Sequence, residues 1–370
     1  MNYFKDEYVH NGYSSDMKLY SRFIKYENLH NMCHSTIFAQ GYPREINVYI
    51  DLYQMTTSLY LYDNITNPMS LLATIINMPL HYRNYFKKMN IKSNIFLIYS
   101  TNKSMNNIKY LEEYNTKYRK RIRDNLNVQN VMRDIINILQ TICPYLPGIY
   151  LKVGSVEPTV IVYDLASKFN TNGFNKLSIF ITSTDYAYQL ASKMDSLYVF
   201  YKMNAELREN NIIREILDTS FVIHKYNALN MYISRNKNKD LNSSDEYKYL
   251  DQSWITPLFV LSGIEDRSVK SLMNYSKALE VLLYLKTRYM NITPENVYNA
   301  CIDLGHNIIN IQDIYNRFYA IDLDYQLMLY RQLPESMEVS FLKDLDDMET
   351  LHTIATDYFS PSNTIDLNKL

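Results

Sequence analysis

The chain has 370 residues, 47% of them hydrophobic, and a formal net charge of −1. That balance excludes a disordered chain, which would lack the apolar residues for a core, and a global positive field that would draw nucleic acid or an anionic membrane. Any contact with nucleic acid must come from a local patch. Seven glycines against 36 tyrosines describe a packed chain with few flexible loops, and the length suits one large domain with a helical appendage, or two domains. Cys33, Cys143 and Cys301 lie far apart with no CxxC pair, which fits a reducing compartment and argues against a structural zinc site. The first residues are too polar for a signal peptide, and no apolar run reaches the ~20 residues of a membrane span. The expected location is cytoplasmic, in the host cell cytoplasm for a virus or phage; the richness in Asn and Tyr, both A/T-rich codons, suits such a source.

Residues 1–44 read as an N-terminal extension of mixed helix and loop, closed by Gly41, Tyr42 and Pro43. Ile46 to Ile50 is then a short apolar strand, and the spacing of apolar residues from 52 to about 80 predicts a helix. Asn94 to Tyr99 is a second buried strand. A charged stretch, 110–124, precedes Val128, Val131, Met132, Ile135, Ile136, Leu139 and Ile142, which share one face of a helix ending before Pro144. Glu157 and Pro158 open another helix, since Pro suits a first turn and an acid there favours the helix dipole. Strands follow at Leu177 to Thr182 and Leu197 to Tyr201. Apolar strands alternating with helices predict βαβ units and a mostly parallel sheet. Residues 234–254, rich in Asn, Lys, Ser and Asp over their first part, read as a linker or exposed loop; 255–333 is helical, and 334–370 is an acidic tail.

Six stretches, in order, resemble the flap endonuclease family of 5′ nucleases, most closely its phage RNase H type. Val-Tyr-Ile-Asp-Leu-Tyr-Gln at 48–54 is similar to the family's opening strand with its metal-binding Asp. Ile-Phe-Leu-Ile-Tyr-Ser-Thr-Asn-Lys-Ser at 95–104 is similar to the strand that ends in a second Asp, with Ser100 in its place. The run 113–123 resembles the Tyr-Lys…Arg motif at the base of the helical arch. Residues 156–166 resemble a Glu-Ala-Asp-Asp motif before a helix; Glu157 is kept, while Thr159 and Val160 stand for the two acids. Residues 181–190 resemble Ser-x-Asp-x-Asp-x-x-Gln-Leu, with Gln189 and Leu190 kept, Thr184 and Tyr186 at the acid positions, and Asp185 between them. Residues 259–271 resemble the lead-in to a helix-three-turn-helix, with Ile264 for its Asp, and the segment 274–283 that follows lacks the glycines that let backbone amides approach a phosphate.

The resemblance implies a PIN or flap-nuclease-like α/β fold over 45–233, with a twisted, mostly parallel sheet flanked by helices, and a degenerate helix-three-turn-helix within 255–333. The family's reaction needs two divalent ions about 3.5 to 4 Å apart, and such hard cations want several carboxylate oxygens. Only Asp51 and Glu157 remain in register, with Asp185 one residue away. The expectation is a pseudonuclease with no cofactor, acting as a nucleic-acid-binding or complex-forming subunit in viral or phage replication, repair or transcription. An active Mg²⁺- or Mn²⁺-dependent 5′ nuclease would use Asp51, Glu157 and Asp185, with Asp164, Glu265 or Asp266 as helpers. A purely structural interaction protein is the third reading. The ordinary role of Asp51 and Glu157 is structural, at a strand end and in a helix first turn.

The expected nucleic-acid site, for DNA above all, is Lys117, Arg119, Lys120, Arg121 and Arg123, interleaved with Tyr118; each phosphate neutralised steepens the salt dependence of binding by about one unit. A solvated helix face is the alternative. Residues 352–359 loosely resemble a sliding-clamp-binding peptide, with His352 for the usual Gln and Ala355 for the usual aliphatic, which names a clamp as a partner; otherwise Tyr358 and Phe359 pack the tail down. His34, His81, His224, His306 and His352 lack metal-type spacing, and no phosphate-binding glycine loop or nucleophile-base order is present.

Overall fold

The computed structural model describes residues 43–56, 82–100, 149–153, 156–171, 176–182, 184–201, 222–236, 250–264, 269–289, 291–306, 309–332 and 337–341, with 37, 79, 133 and 137 singly. The arch-base run 117–123, the helper candidates Glu265 and Asp266, and the stretch 352–359 lie outside these residues.

Uninterrupted apolar runs are the mark of strands buried on both faces, and such strands pair in parallel. The strands of this chain are largely apolar, with single polar residues such as Asn47 and Ser178 among them. β1 (Glu45–Asp51), β2 (Lys92–Ser100), β3 (Ile149–Val153), β4 (Leu177–Thr182) and β5 (Leu197–Tyr201) form a parallel sheet in the order β5-β4-β1-β2-β3. β4 is buried throughout and β1 from Ile46 onward. Antiparallel strands close the two edges: β6 (Val222–Ile223) on β5 and β7 (Met337–Phe341) on β3. The sheet is thus mostly parallel and flanked by helices, an α/β fold as expected. β3, β6 and β7 are strands that the apolar pattern did not single out, and β7 makes part of the tail a sheet edge.

Two helices carry the link from the sheet to the C-terminal half. α1 (Pro158–Thr171) and α2 (Tyr186–Lys193) follow β3 and β4, and α3 (Ala228–Asn236) follows β6. A 3₁₀ turn, Gln252–Trp254, leads into α4 (Ile255–Ser262), whose residues are buried from Ile255 to Leu261. A helix apolar on every side belongs at a core, and α4 packs against α2 and against α5 (Tyr275–Arg288) and α7 (Ile311–Ile321). α6 (Pro294–Asp303) and α8 (Leu323–Gln332) complete the set. One continuous core runs from Tyr49 and Phe180 through Tyr188 and Phe259 to Leu282 and Phe318. Tyr49 stacks on Phe96 at 4.9 Å, and Tyr232 meets the edges of Tyr188 and Phe259.

The helix starts in this half are written in the sequence. The Asn274, Thr293 and Asn310 side chains accept from the amides of Lys277, Asn296 and Gln312, and Pro294 follows its cap at N1. These are the residue types that satisfy orphan amides at helix starts. After α4 the chain turns at Gly263, with φ +75°, where an added Cβ would lie 2.3 Å from the Val269 carbonyl oxygen. The close approach exists because Ile264 and Val269 exchange both backbone hydrogen bonds.

Candidate functional site

In open parallel sheets, ligand sites form where strand order reverses, outside the carboxyl ends of the strands. Here β1 connects outward to β2 and β3, while β4 returns to the other side of β1 and β5 continues outward. The reversal falls between β1 and β4. Asp51 is the last residue of β1, and Thr182 the last of β4. The register pairs Ile50 with Ile181, so Asp51 and Thr182 are the next residues along.

That adjacency decides how the carboxylate is satisfied. The Thr182 hydroxyl donates to Asp51 Oδ2 at 3.2 Å, and the Gln54 amide donates to Oδ1 at 3.1 Å from the helical turn at 52–56. Asp51, Thr182 and Thr184 are each fully buried. The Thr184 amide donates in turn to the Thr182 oxygen at 3.3 Å, so this hydroxyl is oriented toward the carboxylate by the backbone behind it. A buried carboxylate needs hydrogen bonds or a cation to offset its lost hydration. Asp51 draws this compensation from within the chain.

The positions where the resemblance places acids hold other work. The Thr184 hydroxyl accepts the Tyr186 amide at the start of α2, at 3.3 Å. Tyr186 is buried, and its phenol donates to the Ile321 carbonyl while accepting from Gln326 Nε2. It ties α2 to the last two helices. Thr159 and Val160 are both fully buried, and Ile264 is buried in its bridge with Val269. A carboxylate at any of these positions would meet a strongly desolvated environment.

The remaining acids are placed as follows. Glu157 immediately precedes α1; it is buried, and its carbonyl accepts the Val160 amide at 3.0 Å. Asp185 is buried at the start of α2, where its side chain makes no capping hydrogen bond. Asp164, the candidate helper on α1, is committed to ion pairs. Arg331 grips it through Nε at 3.0 Å and Nη2 at 2.9 Å, and Lys168 reaches it at 2.6 Å. Among the described residues, no three His, Cys, Asp or Glu side chains converge as a metal site. Two of the groups that meet Asp51, the Thr182 hydroxyl and the Gln54 amide, donate hydrogen bonds to its oxygens. His224 accepts the Tyr226 amide through Nδ1, and burial lowers its pKa.

The residue at this candidate site that sequence reasoning missed is Thr182, the hydrogen-bond donor to Asp51. Its signal was present: a hydroxyl-bearing strand end next to an acid-bearing strand end. Reading it required the β1–β4 register, which the spacing of two strands so far apart in the chain does not supply.

No family model matches the chain, and no curated protein matches it. Among solved structures it is similar to those of the T5 D15 protein with metal ions (TM-score 0.44), of the bacteriophage T5 D15 flap endonuclease in a pseudo-enzyme–product complex with DNA and metal ions (0.45), and of the T5 5′-exonuclease with zinc (0.46). Each is 10% identical and covers 84% of this chain and 97% of its own. At such identity and TM-scores below 0.5, the likeness carries no argument about this chain's chemistry.

Proposed function

We propose that the protein is a catalytically silent relative of 5′ nucleases that works as a nucleic-acid-binding or complex-forming subunit, in a viral or phage setting of replication, repair or transcription. The observation that carries the silent site is the pairing of Asp51 with the Thr182 hydroxyl and the Gln54 amide. A hydroxyl neutralises nothing, but it satisfies a lone pair, and an ion entering here would have to displace that bond, while hard cations want several carboxylate oxygens. Support for nucleic acid comes from the run Lys117, Arg119, Lys120, Arg121 and Arg123, whose cations suit phosphate contacts.

Calorimetric titration of Mn²⁺ into the full chain, beside Asp51→Ala, tests the reading, with a flapped duplex assayed for cleavage in parallel. The expected result is no Asp51-dependent heat and no cleavage. Two-site binding lost in Asp51→Ala, together with cutting, would replace this reading with an active Mg²⁺- or Mn²⁺-dependent nuclease. For the nucleic-acid half, charge reversal across 117–123 is expected to weaken DNA binding and flatten its salt dependence; unchanged affinity would leave only the complex-forming role, including the clamp contact through 352–359.

A further inference from the structure

The surface of α5, α6 and α7 carries a second cluster that the carboxylate site does not use. Glu295 and Asp303 stand eight residues apart on α6, which brings both to one side of a 3.6-residue helix, and both are exposed. The phenols of Tyr284 on α5 and of Tyr289, its C-cap, donate to Asp303 Oδ2 at 3.2 and 2.7 Å. From α7, the Tyr315 phenol donates to Glu295. Tyr315 stacks with Tyr319 at 6.3 Å, and Tyr319 meets the edge of Tyr325 at 5.0 Å. The result is two sets of half-buried rings, one on Asp303 and one on Glu295, both carried against α6.

Its chemistry narrows the occupant. Each ring is fixed at its hydroxyl or against another ring, so little side-chain entropy remains to be lost on binding. Fixed tyrosines are the favoured contact residues of protein interfaces. Each carboxylate has about four acceptor sites; Asp303 spends part of them on two phenols, and Glu295 spends part on the Tyr315 phenol, its own amide and the Thr293 hydroxyl. The pairing keeps Glu295 ionised, since the Tyr315 phenol holds its carboxyl below the usual range, and it pushes that phenol up to about 12. One cation, Arg288, acts on Tyr284 and Tyr289 from the rim. Phosphates would be repelled by the two carboxylates. A guanidinium, by contrast, can fork a carboxylate and lie on a ring face, which an ammonium does less well.

We infer that Tyr284, Tyr289, Glu295, Asp303, Tyr315 and Tyr319 form a docking surface for an arginine-rich segment of a partner protein. This deepens the complex-forming role proposed above and makes no use of Asp51, so metal binding there would leave it standing, just as an inert surface would leave the silent site standing.

The test is fluorescence anisotropy of hexa-arginine, hexalysine and a short single-stranded DNA against the full chain, its Glu295→Gln/Asp303→Asn double variant, Tyr319→Ala and Asp195→Asn. Hexa-arginine is expected to bind more tightly than hexalysine, to weaken about tenfold in the double variant, as two lost charge contacts of a few-fold each imply, and to weaken several-fold in Tyr319→Ala. Asp195→Asn, on an exposed acid of the β5 side, is expected to change nothing. Equal binding of the two peptides, equal loss in Asp195→Asn, or full binding by the double variant would each overturn the proposal. Preferential DNA binding at this surface, lost with Tyr319, would reassign it to nucleic acid. The double variant retains the acceptor oxygens that the tyrosines use, so it keeps the test independent of any folding defect in Tyr319→Ala.

Discussion

The molecule spends its acids in two opposite ways. At the strand switch point, Asp51 is fully buried and its oxygens are met by a hydroxyl and an amide of the same chain. On α6, Glu295 and Asp303 are exposed; Asp303 meets two phenols, and Glu295 meets the Tyr315 phenol, its own amide and the Thr293 hydroxyl. The first arrangement draws hydrogen bonds from within the strand ends; the second stands at the surface, where carboxylate oxygens still have acceptor capacity.

The largest way to sharpen that contrast is at Tyr186, where the resemblance expects an acid and the fold has a buried tie. Tyr186→Ala removes a core ring and the hydrogen bonds to Ile321 and Gln326, and should destabilise by about 3–5 kcal/mol, read from the urea midpoint. Tyr186→Asp should be at least as damaging. If it were tolerated, the view that these positions have been taken over by packing would fail. Arg331→Met is next. Asp164 is nearly inaccessible and Arg331 supplies two of its donors, so a buried charge left with Lys168 alone should cost roughly 1–3 kcal/mol. Thr182→Val, which keeps the shape and removes the donor to Asp51, should cost about 1–3 kcal/mol for the same reason. A metal-dependent rescue of Thr182→Val by Mn²⁺ would show that Asp51 still prefers a cation, and would break the comparison.

How much of this was legible depended on whether the signal was local. β1, β4 and β5 are mostly apolar runs, and their limits were read to within a residue or so. β3 was passed over because it is short and holds Lys152, and β7 because Glu338 and Ser340 alternate with Met337, Val339 and Phe341 beside an acidic stretch that dominated the tail. Asp51 was legible as a strand-end acid. Its partner was not, since Thr182 lies 131 positions away and only the sheet register joins them. The phenol–carboxylate pairs across α5, α6 and α7 are equally invisible, because they depend on how three helices pack and on no spacing within one. Caps such as Asn274 and Thr293, by contrast, act on amides three residues on, and could be read directly.

The smallest expected effect concerns the acids that join α2 to the last helix, intermediate between the two arrangements. Burial holds the Asp322 carboxyl above the usual Asp value of 3.8. Asp324 also feels burial, but the hydrogen bond and charge of Lys193, 2.6 Å away, with the Tyr163 phenol, bring it below that value. The signs therefore oppose. A raised folded-state value means that Asp322 binds its proton more tightly in the native state. Its contribution is fully present below pH 3.8 and is lost as pH rises through the raised value. Asp324 contributes above 3.8 and loses its contribution as pH falls through its lowered value. Asp322→Asn removes the first effect alone, since the amide oxygen can still accept from the Asp324 amide as Oδ1 does at 2.8 Å. Relative to the parent, its stability should be nearly unchanged at about pH 3 and favourable by roughly 1 kcal/mol at about pH 7, measured by urea unfolding across that range. A variant destabilised at neutral pH would mean that Lys193, at 3.8 Å, compensates Asp322 as fully as Thr182 compensates Asp51. The helix joint would then belong with the closed site rather than between it and the open surface.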